Sequence, residues 1–211
     1  SASLVGSEMC IRDRVKTVMI VGGQRKNLPF FWLAEFPGTE RGKMYCQINA
    51  GGLYGLQSYV AQVEVDISKG LPCFDMVGLL DSEMREARER LRVSLHHINA
   101  ALPAEKITVN YSPAGIVKSG TSFDLPTALV ILAAQGKVPP ERLKELWAVG
   151  EVGLDARIKQ VRGVLAMLHA ANQSAFRSYL IPFENLGEGI AAGKLPVMGV
   201  CSLEEAMEYV N

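Results

Sequence analysis

The chain has 211 residues, 48% hydrophobic and 21% charged, which is enough for one substantial core. Its 22 basic and 22 acidic residues cancel, which argues against nucleic-acid binding through bulk charge alone. Cys10, Cys46, Cys73 and Cys201 stand far apart with no C-x-x-C pair, so neither a zinc knuckle nor a dithiol redox motif is written here.

Reduced thiols of a cytoplasmic protein are the expectation, and no apolar run approaches the roughly 18 residues of a membrane span. Residues 1–43 carry seven Lys/Arg against four Asp/Glu and no sustained period of either kind. The opening SLVGSEMCIRDR resembles a translated sequencing-adapter fragment. Residues 1–43 are therefore expected to be a non-native or disordered head, with the native start at Met44. The rival is an extension that packs Trp32 on the body, residues 44–211.

In the body, SYVAQVEVDI (58–67) alternates closely enough to period two for a strand with one polar face. GLPCFDMVGL turns at 70–72 and gives a second strand, hairpin-paired with the first. Asp81 or Ser82 caps a helix in which Met84, Ala87, Leu91, Leu95 and Ile98 recur at three- and four-residue steps, running to about His97. KITVNY (106–111) is a short β-branched strand ended by Ser112 and Pro113. Gly120 then breaks the chain. Pro126 is tolerated only in a first turn, which favours Asp124 as cap of the apolar helix over 125–134. Apolar nearly all round, that helix belongs at the centre of the domain. LWAVGEV and ARIKQV read as a hairpin turning at Leu154 and Asp155. Helix GVLAMLHAANQSA, strand SYLIP, short helix ENLGEGIAAG, strand LPVMGV and helix SLEEAMEYV follow, the last opened by a capping box of Ser202 and Glu205. Hairpins first and β-α alternation later predict a mixed α/β fold with helices packed on a sheet.

Three blocks, VEVDISKGLPCFDMVGLLDSEMREARERLRVSL, ITVNYSPAGIVKSGTSFDLPTALVILAAQGKV and GEVGLDARIKQVRGVLAMLHAA, stand in this order within 44–211. They closely resemble the N-terminal domain of magnesium-chelatase-like AAA+ ATPases of the ComM competence-protein type. The resemblance implies a fold like domain 2 of ribosomal protein S5, as in the proteolytic domain of Lon proteases. It also implies that an ATPase module using ATP and Mg²⁺ follows in the full-length protein, of which this chain is a fragment. The whole is then a hexamer that moves branched DNA during DNA uptake, and the chelatase name refers to likeness in the ATPase module. Two residues depart from the family's pattern: Leu80, where Pro is usual, and Ala156, where Gly is usual. The second matters because a tight hairpin turn often needs positive φ, at a cost of roughly 1–2 kcal/mol for a residue with a Cβ.

In Lon-type proteases the nucleophilic serine follows a Lys-x-Gly-x pattern at a helix start, which Lys118, Gly120 and Ser122 match. A serine attacks only when a nearby base takes its proton. The position of the Lon lysine falls on Leu165, leaving Lys118 and Lys159 as substitutes. Lys118, on a loop, is expected to be exposed and protonated, a poor base. Ser122 is thus expected to satisfy helix-end N–H groups or pack near the loop, with a Ser-Lys peptidase as the alternative.

Arg85, Arg88 and Arg92 share one helix face, which, with Lys118, can track a phosphate backbone. Glu86 and Glu89 stand three or four residues from Arg85, Arg90 and Arg92, the pattern of a solvated, salt-bridged face or of a subunit contact. A stand-alone nucleic-acid-binding module, which the likeness to ribosomal protein S5 allows, is the third reading. The Gly-Lys pairs at 42–43, 136–137 and 193–194 are followed by Met, Val and Leu, so no phosphate loop and no ATP site are expected in this chain. His96, His97 and His169 lack ligand spacing, so no metal is expected, and AGGLYGLQSY (50–59) lacks the order of a dinucleotide loop. The leading expectation is a non-catalytic accessory domain of a DNA-remodelling ATPase. Its partners would be its own C-terminal module, further copies of the chain and, through the arginine row, DNA.

Overall fold

β-Branched stretches alternate with amphipathic or wholly apolar helices through the computed structural model, which describes residues 18–21, 24–27, 44–55, 57–192 and 194–211. The first half comprises β1 (Val18–Val21), β2 (Gln24–Asn27), β3 (Met44–Tyr54), β4 (Gln57–Ser68), β5 (Cys73–Val77), α1 (Ser82–His97) and β6 (Lys106–Ser112). Then come α2 (Asp124–Ala134), α3 (Pro140–Leu143), β7 (Leu146–Ala148), β8 (Glu151–Val152), β9 (Ile158–Lys159) and α4 (Val164–Ala171). The chain continues with β10 (Ser178–Pro182), α5 (Leu186–Ala192), β11 (Val197–Val200) and α6 (Leu203–Val210).

The main sheet runs β2-β1-β11-β10-β7-β3-β4-β6-β5, and β8 and β9 form a separate hairpin. It is mixed: β7 is parallel to β3 and β10, β10 to β11 and β5 to β6, while β3–β4, β4–β6, β1–β11 and β1–β2 are antiparallel. The mixed α/β class read from the sequence is the one observed.

Period two decides which layer each strand residue enters. Leu146, Ala148, Leu180, Met198 and Val200 share a core with apolar residues of α1, α2 and α6. Their neighbours Trp147, Val149, Tyr179, Ile181 and Val197 enter a second core with Val164, Met167 and Leu168 of α4. Helices therefore cover both faces of that half of the sheet. At the β4-β6 end, Ala61, Val63, Val65, Ile107, Val109 and Tyr111 are buried, whereas Gln62, Glu64, Asp66, Thr108 and Asn110 between them keep contact with solvent. Every residue of α2 is buried, as its all-round apolar sequence requires.

The helix ends follow local chemistry. Asp81 accepts the Met84 N–H at 2.8 Å, capping α1. The helix stops where Asn99 takes φ 56 and the Ala100 N–H bonds the Leu95 carbonyl at 2.8 Å, a Schellman closure. Ser202 accepts the Glu205 N–H at 3.3 Å, and the Glu205 carboxylate accepts in return from Cys201 N–H at 2.7 Å, one residue earlier than a strict capping box.

Two of the expected strand pairings need correction, and further elements stand where none is expected. β5 is not the hairpin partner of β4: the flanks of β4 are taken by β3 and β6, and β5 lies parallel on the far side of β6, Phe74 opposite Ile107. β3 went unread because Gly51 and Gly52 interrupt its alternation; it pairs with β4 along its whole length, from Met44 opposite Ile67 to Tyr54 opposite Gln57. LWAVGEV divides, β7 joining the main sheet and β8 the small hairpin, while the linker after α2 contains α3. Within 1–43, where no period was found, β1 pairs with β11 and β2 through their backbones. The rest of 1–43, Trp32 included, lies outside the described residues.

Ala156 does take a left-handed conformation, φ 62, in the turn between β8 and β9, and it is buried. Relief of that strain is worth roughly 1–2 kcal/mol, against about 0.8 kcal/mol for the buried methyl lost. Ala156→Gly should therefore raise stability by up to about 1 kcal/mol in urea unfolding; a destabilised variant would mean that the methyl's packing outweighs the strain.

Candidate functional site

Beyond β6 the chain loops through 113–119, turns at Gly120 with φ 82, and enters α2. Asp81 anchors this loop: its carboxylate accepts the Gly120 N–H at 3.3 Å and its own N–H donates to the Lys118 carbonyl at 3.0 Å. The Lys118 N–H in turn donates to the Leu79 carbonyl at 2.7 Å.

Lys118 is buried, contrary to the expectation of an exposed loop lysine. The loop folds its own carbonyls inward, and the ammonium donates to those of Pro113 and Ile116, the latter at 2.9 Å. Burial pushes its pKa down. So placed, Lys118 cannot reach a phosphate backbone and drops out of the arginine row.

Ser122 sits at the start of α2, only 6% exposed. Its hydroxyl donates to the Gly51 carbonyl of β3 at 3.2 Å, and its own carbonyl accepts the Gly150 N–H at 3.0 Å. Among the described residues no hydrogen bond joins Ser122 to Lys118 or Lys159. The Lys159 ammonium lies 3.6 Å from Glu151, whose other oxygen accepts the Thr121 hydroxyl at 2.8 Å. Leu165, on α4, is half-exposed and gives its backbone N–H to Glu188 at 2.8 Å. The serine's proton is thus directed to an amide oxygen, and among the described residues no amine is hydrogen-bonded to the hydroxyl.

Asp124 does not cap its own helix. Phe123 occupies the cap position without a side-chain bond, and Asp124, the first helical residue, is wholly buried and turned towards Arg90. Arg90 Nε and Nη2 donate to its two oxygens at 2.8 and 3.1 Å, and the Val152 N–H approaches one of them at 3.4 Å. Burial pushes the carboxyl up to about 6, with the Arg90 bond pulling the other way. This pair ties α1, α2 and the β8-β9 hairpin together. Sequence spacing assigns Arg90 to Glu86 instead; the missed signal was an acid at the head of a helix with no polar face, which needs a cation from elsewhere.

Arg92 bonds Glu89 at 2.8 Å and Arg88 stands 3.9 Å from it, all well exposed, as on a solvated face. Arg85 and Arg88 also line a groove of about 560 Å³ with Phe74, Met76, Val77 and Leu80. His96 and His97 are exposed in the last turn of α1, and His169 lies on α4.

Residues 63–185 match the family described as subunit ChlI of Mg-chelatase. The chain belongs to that family. The match takes in Arg90, Lys118, Ser122 and Asp124, so the likeness to the chelatase subunit falls on this stretch itself, where the expectation attached it to an ATPase module. Among relatives, competence protein ComM of Haemophilus influenzae is 33% identical over 157 residues, 74% of this chain and 31% of that protein. The YifB protein of Escherichia coli is 37% identical over 134 residues, 64% of this chain and 26% of its own length. The chain therefore spans about a third or less of the length of these relatives. Lon protease 2 of Bacillus subtilis is 33% identical over 79 residues, 37% of this chain.

A nucleotide implied by the ChlI family finds no fit at the one Gly-Lys pair whose two residues are both described. Gly136, at φ 73, closes the C-terminus of α2, with Lys137 N–H bonded to the Leu132 carbonyl at 2.9 Å and its ammonium to that of Asn99 at 3.1 Å. Phosphate is held at the opposite, N-terminal end of a helix. The glycine-rich stretch at 50–59 is the β3-β4 hairpin. No described helix is long and apolar enough to cross a membrane.

Proposed function

We propose that this chain is a non-catalytic accessory domain of a magnesium-chelatase-like AAA+ protein of the ComM type, built on the fold of ribosomal protein S5 domain 2 and of the Lon proteolytic domain. ATP, Mg²⁺, hexamer formation and the movement of branched DNA during competence belong, in this reading, to the longer cytoplasmic protein that carries the ATPase module. The domain contributes assembly contacts or guides DNA.

The observation that carries the proposal is the commitment of the Ser122 hydroxyl to the Gly51 carbonyl, while the Lys118 ammonium is held by Pro113 and Ile116. One observation favours a Ser-Lys peptidase instead: a buried lysine of lowered pKa is what a catalytic base looks like. A serine-directed fluorophosphonate separates the two. Labelling of the wild type should not exceed that of Ser122→Ala; labelling that disappears in Ser122→Ala would establish the peptidase.

A further inference from the structure

β5 ends the sheet. It pairs with β6 alone, and among the described residues no backbone hydrogen bond reaches its other edge. Open edges of this kind accept further strands unless they are blunted. Exposed apolar side chains stand on it and beside it: Val77 at 48% within the strand, Leu71 at 88% and Leu79 at 51% on either side. The groove lined by Arg85 and Arg88 lies beside it, with half-buried Phe74, Met76 and Leu80 contributing apolar walls.

We propose that this edge and groove dock an extended, acidic segment of a partner protein by strand addition. A strand laid along Cys73–Val77 sends alternate side chains to the α1 side. There they meet Arg85, which makes no ion pair among the described residues, and Arg88, whose one partner is 3.9 Å away. Carboxylates at those positions gain charge-assisted bonds. The intervening side chains fall beside exposed Asp75, which selects against acids there. A second copy of this chain fits worse, because antiparallel pairing of two β5 strands about their centres sets Asp75 against Asp75, a destabilising like-charge pair. A nucleic acid fits worse too, because a continuous run of phosphates cannot keep clear of Asp75 in the groove, as the uncharged positions of an alternating strand can, and Arg92 is already bonded to Glu89. The proposal is independent of whether Ser122 is inert.

The test is fluorescence polarisation on the whole chain with a short fluorescein-labelled peptide alternating Glu and Val. Replacing Arg85 and Arg88 together by Glu should weaken binding at least about tenfold, as should N-methylation of alternate peptide amides, while Arg92→Glu changes it less than about twofold. Circular dichroism checks that the variants are folded. Failure to saturate up to about 1 mM peptide, or equal binding by the N-methylated peptide, overturns the proposal. So does an oligonucleotide that binds more tightly than the peptide and loses affinity in the double variant, or self-association that the double variant abolishes.

Discussion

Arg90→Ala should destabilise the fold by about 3–5 kcal/mol at neutral pH, the loss expected when one member of a buried ion pair is removed and the other stays. Asp124 is wholly buried and Arg90 largely so, at 20% side-chain exposure, with two direct bonds between them. The effect should depend on pH in a definite sense. The Asp124 carboxyl is raised to about 6 from 3.8, so the folded chain binds its proton more tightly than the unfolded one. The stability linked to that proton is present below about pH 4 and lost as pH rises through about 6, up to about 3 kcal/mol in all. Removing the cation raises the carboxyl further, so the variant goes on losing stability above pH 6, where the wild type has levelled off. Glu151 nearby pushes in the same direction. Urea unfolding at pH 5 and pH 7.5 should therefore show a smaller gap between variant and wild type at the lower pH. An equal gap at both would mean that Arg90 acts by packing alone. Arg90→Met combined with Asp124→Leu should recover most of the loss, because no unpaired charge is left inside.

What could be read from the sequence is what depends on near neighbours. The period of α1, its Asp81 cap and the all-round burial of α2 are written within a dozen residues of each element, and the fold obeys them. The place of β5 is not local: it depends on which strand occupies the flank of β4, and β6 arrives there from across α1. Arg90 had a local partner on offer in Glu86 and takes Asp124, 34 residues away, because burial makes the unpaired acid the costlier of the two. Lys118 misled for a similar reason. Lysine is rarely buried, so a loop lysine reads as exposed unless the loop's own carbonyls are known to point inward. Ala156 could be anticipated through the resemblance, which puts glycine at that position, and its difficulty is a backbone one.

Gly51→Ala should cost about 2–3 kcal/mol, near the upper end for overpacking, although it adds a single methyl. The new Cβ would stand 2.4 Å from Trp147 Cζ2 and 3.1 Å from the Met167 Cβ. The indole has little room to retreat: it is fully buried, edge-on to Tyr179 at 5.6 Å and 81°. Moving β3 instead would strain the Ser122 bond to the Gly51 carbonyl. Trp147→Phe removes the atom in the way, at its own cost from lost contacts. The double variant should then be less destabilised than the sum of the singles by at least about 1 kcal/mol. Strict additivity would show that the indole does not enforce the glycine. The same variant probes the serine, since any shift of β3 loosens the acceptor that holds its proton. With Lys118 still occupied by Pro113 and Ile116, fluorophosphonate labelling of Gly51→Ala should stay at background. A freed hydroxyl without a base is no more nucleophilic than before.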